Sequence, residues 1–196
     1  SGVAGHQISH SQGVEIDYAT VKGLEVVDGW LTYFGDETSY MKLNETVAST
    51  DNPYIWSDTT PTTTNITIGS SGAVNTADKE FIMYYKCKSE TFTTGTYTGT
   101  GVAGNFVETK DVNGVARRPR RVIIKAVSAV GGWVVFDSAR ADDGHQLILN
   151  TSAIEYTTTS LVDFSINGFT TQDSGNERNH SGVQYLYLVE FDTDNT

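Results

Sequence analysis

An internal repeat constrains the fold of this chain more than any other feature of its sequence. Five short landmarks occur twice, in the same order, about 100 residues apart. The matched pairs are Gly2–Gly5 with Gly101–Gly104, Gly29–Trp30 with Gly132–Trp133, Leu43–Asn44 with Leu149–Asn150, Ile66–Gly72 with Phe164–Gly168, and Phe81–Tyr85 with Tyr185–Val189. This order indicates a tandem duplication. Two copies are too few for a solenoid, whereas a copy of about 100 residues has the size of a β-sandwich domain.

The hydrophobic pattern of each copy is that of β-strands. Apolar side chains do not recur at helical spacing, and short β-branched and aromatic runs alternate with Gly, Asn, Ser and Asp residues. We therefore predict an all-β fold of two tandem antiparallel β-sandwich (jelly-roll-like) modules. The first, diverged module spans residues 1–90 and carries an aromatic loop insertion at 48–64, and the second spans residues 91–196.

Charge and cysteine content exclude several classes of protein. The chain has 13 Lys and Arg against 24 Asp and Glu, a formal net charge of −11. We expect no nucleic-acid partner, because such partners are polyanions, and no membrane insertion, because no apolar run approaches about 20 residues. A single cysteine, Cys87, excludes an internal disulfide framework and a multi-cysteine zinc site.

The aromatic insertion of the first module is the best candidate for a glycan site. Tyr54 and Trp56 lie two residues apart, which in an extended segment places both rings on one face. Such rings can stack on the apolar face of a sugar, and Asp51, Asn52 and Asp58 can bind its hydroxyl groups. The alternatives are a loop folded back onto its own module or buried at a subunit contact.

A second candidate site is the basic cluster of the chain. Arg117, Arg118, Arg120 and Arg121 surround Pro119. Guanidinium groups bind phosphate and carboxylate groups, so the cluster is a candidate for binding the anionic groups of a surface polymer. Pairing with acidic groups of a neighbouring subunit, or a solvated strand entrance without a ligand, are the alternatives.

The tryptophans of the repeat favour a structural role. Trp30 and Trp133 each follow a glycine at matched positions and begin an apolar run, so we predict that both lie in the cores of their modules.

Metal binding has weaker support. His6 and His10 make a poor chelate without a third ligand. Asp142, Asp143 and His145 share a short loop that resembles a polar hairpin tip more than a calcium loop, although calcium binding stays open. We predict no metal centre and no cofactor.

The second copy resembles a repeat module of bacteriophage tail-fibre and other virion-associated proteins, and the first looks like a diverged copy. The family brings no defined catalytic residues. The segments that carry the resemblance are Arg118–Lys125, Gly132–Arg140, Leu149–Ser152, Val162–Phe169 and Ser181–Tyr187.

This resemblance implies a virion component in the bacteriophage particle. The leading expectation is the receptor-binding or adhesin region of a tail fibre, which recognises a host surface glycan. A purely structural virion protein, such as a capsid decoration or a fibre-shaft module, is the alternative, and a polysaccharide depolymerase is the third. The chain lacks a nucleophile elbow, a phosphate-binding glycine loop and a His-Glu-x-x-His motif, so we predict that it is not an enzyme. Expected partners are host surface polysaccharide, other virion proteins and further copies of the chain, since fibres are commonly trimers.

Overall fold

The computed structural model describes residues 1–140, 144–157 and 160–192. Strands dominate this part of the chain, their pairings are antiparallel, and each of its two helices is a single turn. The predicted all-β class is therefore confirmed. Neither described helix is long enough to cross a membrane. The chain divides into two compact units, Ser1–Lys88 and Ser89–Thr196.

The first unit contains a five-stranded sheet and a strand pair. Its elements are β1 (His6–Ser9), β2 (Ile16–Gly23), β3 (Leu31–Tyr33), β4 (Ser39–Lys42), β5 (Thr50–Asp51), α1 (Pro53–Trp56), β6 (Asn65–Ile68), α2 (Gly72–Asn75) and β7 (Phe81–Cys87). The larger sheet has the order β5-β4-β3-β2-β7, and β1 pairs with β6. Ala19 and Val21 of β2 pack with Trp56 and Ile66 in one apolar core.

The second unit repeats this plan. Its elements are β8 (Phe92–Thr98), β9 (Asn105–Glu108), β10 (Pro119–Ala126), β11 (Trp133–Asp137), β12 (Leu147–Ile148), β13 (Val162–Ser165), β14 (Gly168–Thr171) and β15 (Gln184–Phe191). The sheets have the orders β12-β11-β10-β15-β8 and β13-β14-β9. Val122, Ile124 and Ala126 alternate along β10 and are fully buried in the core, as the period of a strand requires.

Six strands of the first unit have counterparts in the second unit. β2, β3, β4 and β7 correspond to β10, β11, β12 and β15, and the β1–β6 pair corresponds to the β9–β14 pair. The predicted match of Ile66–Gly72 with Phe164–Gly168 is wrong. Ile66 lies in β6, whose counterpart is β14, whereas Phe164 lies in β13, the strand before it. β8 and β13 have no counterpart among the described residues of the first unit.

A buried asparagine holds the Gly-Val-Ala-Gly landmark of the second unit. The side-chain amide of Asn179 donates to the Val102 carbonyl at 2.7 Å and to the Asp173 carbonyl at 2.6 Å. Its Oδ1 accepts the backbone N–H of Thr100 at 2.9 Å. The landmark is therefore a turn that one side chain fastens at three backbone points.

The first unit builds the same turn around Asn75. The side-chain amide donates to the Val3 and Gly69 carbonyls, both at 2.8 Å, and Oδ1 accepts the Gly2 N–H at 3.0 Å. Asn75 and Asn179 are thus equivalent, and Ser1, whose hydroxyl donates to Asn75, matches Thr100, whose hydroxyl donates to Asn179. The landmark glycines adopt positive φ, which favours glycine, in both copies: Gly2, Gly5, Gly101 and Gly104.

The Leu-Asn and Gly-Trp landmarks form one structural feature. Oδ1 of Asn44 accepts the backbone N–H of Trp30 at 2.9 Å, and Oδ1 of Asn150 accepts that of Trp133 at 3.0 Å. Two of the five sequence landmarks therefore mark one repeated hydrogen bond.

Candidate functional site

The aromatic insertion is not extended at its two rings. Pro53 begins the helical turn α1, the side chain of Asn52 accepts the Tyr54 N–H at 3.0 Å, and Ser57 ends the turn at φ 55°. The premise that Tyr54 and Trp56 share one face of an extended segment is wrong, because proline and an asparagine cap favour a helical start.

The two rings of this turn have opposite environments. Trp56 is 1% exposed, and its ring meets that of Tyr33 edge-on at 5.8 Å. Trp56 is thus a core residue and cannot stack on a glycan in this structure. Tyr54 is 63% exposed, and Asp51 and Asp58 are exposed near it. A glycan site of Tyr54, Asp51, Asn52 and Asp58 remains a prediction without its second ring.

Most of the arginine cluster faces carboxylates of its own unit. Nε of Arg117 donates to Asp111 at 2.6 Å, and Nη2 of Arg121 donates to Glu190 at 2.6 Å. Nη1 of Arg118 lies 3.7 Å from a carboxylate oxygen of Asp192, whereas Arg120 is exposed. An anionic ligand would have to compete with these intramolecular pairs.

The Arg117–Asp111 pair predicts a pH-dependent effect. The Arg117 hydrogen bond, helped by the Val115 and Asn113 N–H groups, lowers the pKa of Asp111. A lowered carboxyl pKa adds stability that is present above the ordinary pKa of about 3.9 and is lost as the pH falls through the lowered value. We expect Arg117→Gln to lower the urea midpoint at pH 6, and the difference from wild type to shrink at pH 3. Far-UV circular dichroism gives the midpoints, and Arg120→Gln, at an exposed position, should change neither.

The remaining candidates have structural explanations. Trp133 is fully buried, but Trp30 is only half-buried and stacks on Tyr84, with 6.3 Å between ring centroids. Cys87 is half-buried, and burial raises the pKa of its thiol.

No group of three metal-ligating side chains occurs in the ranges that the structure describes. Asp142 and Asp143, the calcium candidates, lie outside these ranges.

In the second unit, β8 covers the outer edge of β15. The two strands pair along their whole length, with Tyr187 opposite Gly95 and Tyr185 opposite Tyr97. A Cβ at Gly95 would lie 2.3 Å from Oη of Tyr187, so a larger residue at this position would force the Tyr187 ring to move. The added strand therefore satisfies backbone groups of β15 that would otherwise face outwards.

β8 also places one aromatic side chain into the core. The ring of Tyr97 stacks on Tyr185 at 5.2 Å and meets Phe169 edge-on at 5.8 Å. Its hydroxyl donates to the Arg178 carbonyl at 2.5 Å. Burial raises the pKa of Tyr97 well above its ordinary value, which agrees with a ring enclosed by core residues.

In the first unit, the matching edge of β7 carries no strand in the described chain. β7 pairs with β2 on one side and ends the sheet on the other. Burial follows the same difference: Leu188 and Val189 of β15 are 6% and 0% exposed, whereas the equivalent Tyr84 and Tyr85 of β7 are 56% and 37% exposed. We call the unpaired side of Phe81–Cys87 the β7 edge.

The register identifies which backbone groups face the β7 edge. The Leu24 N–H donates to the Glu80 carbonyl at 2.9 Å and continues the β2–β7 ladder. Because antiparallel residues alternate between bonded and non-bonded pairs, the even-numbered residues of β7 bond to β2. Phe81, Met83 and Tyr85 therefore direct their N–H and C=O groups to the β7 edge.

A cleft of about 300 Å³ opens beside this edge. Its polar lining consists of Ser1, His6, Asn75, Thr76 and Lys79. We call it the β7 cleft, and its apolar lining consists of Ile8, Val21, Ile68, Val74, Phe81, Ile82 and Met83. The edge and the cleft together offer backbone hydrogen-bonding groups next to an unfilled space that is lined by both apolar and polar side chains, and an exposed strand edge beside side-chain pockets is the arrangement that binds an extended peptide.

Sequence reasoning missed both this site and the asparagines that fix its position. Phe92–Thr98 lies just before the second Gly-Val-Ala-Gly landmark. Its β-branched and aromatic residues are the signal that could have pointed to a further strand at this place in the repeat.

Comparisons with known proteins give one match. A family described as "Domain of unknown function (DUF7483)" matches residues 1–192. No curated protein and no solved structure matches the chain.

Proposed function

The chain belongs to the DUF7483 family, and we propose that it is a non-catalytic assembly module that pairs with a further β-strand at the β7 edge. The observation that carries this proposal is the contrast between two equivalent strands. β15 is covered by β8, whereas β7 presents Phe81, Met83 and Tyr85 to the same side without a partner strand in the described residues. Unpaired strand edges are templates for pairing with a further chain.

The setting that we propose is a bacteriophage virion, with other virion proteins as partners. A protein of two tandem sandwich modules that binds a strand at one sheet edge suits the role of a fibre-shaft or capsid-decoration protein. Further copies of the chain can take part in the same assembly. The tail-fibre adhesin is the second candidate. The burial of Trp56 and the pairing of Arg117 and Arg121 weaken its two candidate sites, although exposed Tyr54 keeps it testable.

The test of strand addition is a pair of substitutions at Tyr85. Proline at position 85 removes the N–H that faces the β7 edge and leaves the β2–β7 hydrogen bonds intact. Edge strands tolerate a proline at such a position. The probe is a fluorescein-labelled peptide of residues 89–101, which contains β8, and the full chain is titrated against it by fluorescence anisotropy. We expect Tyr85→Pro to weaken binding about tenfold, the size of one hydrogen bond and its steric block. Tyr85→Ala keeps the N–H and should bind within about threefold of wild type.

The result that would overturn the proposal is equal binding by Tyr85→Pro and Tyr85→Ala, or no binding by the wild-type chain. A parallel titration with extracted bacterial surface polysaccharides examines the adhesin. Saturable binding that Tyr54→Ala abolishes, together with no peptide binding, would replace strand addition by glycan recognition.

A further inference from the structure

We propose that the β7 cleft is a socket for one aromatic side chain of the incoming strand, so that the partner is a threonine-rich strand with an aromatic residue opposite Phe81. This inference names the partner of the site and rests on the proposed function. It requires that β7 and β15 present equivalent surroundings to the strand that pairs with them.

The equivalences of the repeat carry the first step. Tyr97 of β8 contacts Tyr185 and lies near Tyr187, with 5.2 Å and 6.5 Å between ring centroids, and it donates to the carbonyl of Arg178. Counting from the matched asparagines and strand registers, these three residues correspond to Phe81, Met83 and Val74. All three correspondents line the β7 cleft. The space beside β7 is therefore the place that Tyr97 fills beside β15.

The size and lining of the cleft carry the second step. A volume of about 300 Å³ is at the small end of the range for ligand pockets, about 300–1,000 Å³. The apolar part of its lining is aliphatic and aromatic, with Ile68 and Val74 at most 4% exposed. Such a space suits a single planar apolar group, and aromatic rings gain most from burial there.

The register adds a specificity that distinguishes the two units. Glycine is favoured at position 95 of β8 because the ring of Tyr187 occupies the space that a side chain there would need. The corresponding residue of β7 is Met83, a flexible side chain that yields to a neighbour. The strand that binds the first unit therefore needs the aromatic residue opposite Phe81 and does not need a glycine opposite Met83. It runs antiparallel to β7, with its C-terminal end toward Ser1.

The experiment varies the peptide and keeps the full wild-type chain. The labelled peptide of residues 89–101 is compared with its Tyr97→Ala, Tyr97→Phe and Gly95→Ala forms by fluorescence anisotropy. We expect Tyr97→Ala to bind at least about tenfold more weakly, since a buried aromatic side chain contributes that much. Tyr97→Phe and Gly95→Ala should stay within about threefold of the parent peptide.

A chain variant tests the cleft from the other side. Ile8 is a half-buried lining residue of the cleft, so an Ile8→Trp chain should have its cleft filled by the indole. We expect this chain to bind the parent peptide about tenfold more weakly than the wild-type chain does. Its binding of the Tyr97→Ala peptide should be no weaker than that of the wild-type chain. Val27→Trp adds the same ring at a fully exposed position and should change nothing. Equal binding of the parent and Tyr97→Ala peptides would overturn the socket while leaving strand addition intact, provided that Tyr85→Pro still weakens both. Insensitivity to Tyr85→Pro as well would overturn both proposals.

Discussion

A Trp56→Ala variant is expected to lose about 3–5 kcal/mol of the free energy of unfolding of the first unit, the usual cost of removing a large aromatic core residue. Trp56 is 1% exposed, meets Tyr33 edge-on and packs among Ile55, Ile66 and Val74. Removal of the indole leaves a cavity that the surrounding strands cannot close. Urea unfolding, followed by far-UV circular dichroism, measures the loss.

The control for this prediction is Trp56→Phe. The indole Nε1–H is buried and has no hydrogen-bond partner in the described residues, so its removal relieves an unsatisfied donor. Phenylalanine also keeps part of the ring volume, and the loss should be less than half of that for alanine. If Trp56→Ala left the unfolding free energy unchanged, the ring would not be a core residue, and the glycan loop would again be the better explanation of Tyr54 and Trp56.

The second large effect is expected for Asn179→Ala, at about 3–5 kcal/mol in the second unit. The side chain is fully buried and satisfies the Thr100 N–H and the carbonyls of Val102 and Asp173. Each buried polar group left without a partner costs about 1–3 kcal/mol. Thermal and urea unfolding of the full chain give the value.

A matched asparagine on the surface controls for the substitution itself. Asn113 donates its side-chain amide to exposed Glu90 at 2.9 Å, so Asn113→Ala should cost less than about 0.5 kcal/mol. Asn75→Ala should show the same sign as Asn179→Ala in the first unit, because Asn75 holds the equivalent turn. A small effect at Asn179 would mean that the turn is held by its glycines alone.

The parts of the fold that depend on local pattern could be predicted from the sequence. The β-branched run Val122-Ile123-Ile124 identifies β10 as a strand without any knowledge of its neighbours. The Gly-Trp and Leu-Asn landmarks likewise indicate a repeated structure. In each unit the asparagine of one landmark accepts a hydrogen bond from the tryptophan N–H of the other. The error at Trp56 was also local. Asn52 and Pro53 are a helix-start signal, and this signal outweighs the two-residue spacing of the rings.

Long-range partners could not be read in the same way. The sequence shows four arginines but does not show that Arg121 meets Glu190, which lies 69 residues away. It shows Tyr97 as one aromatic residue in a threonine-rich run, and the free edge becomes visible only when β7 is compared with β15. The candidate site therefore depends on which strands pair with each other, and strand pairing is set by contacts between segments that are distant in the sequence.

The position of β8 has a consequence for how such modules are counted. The strand that completes the second unit precedes that unit's own turn, so the polypeptide between successive units belongs to the one that follows. A row of units built on this plan has a direction, since the strand that closes a unit lies before that unit's own turn along the chain.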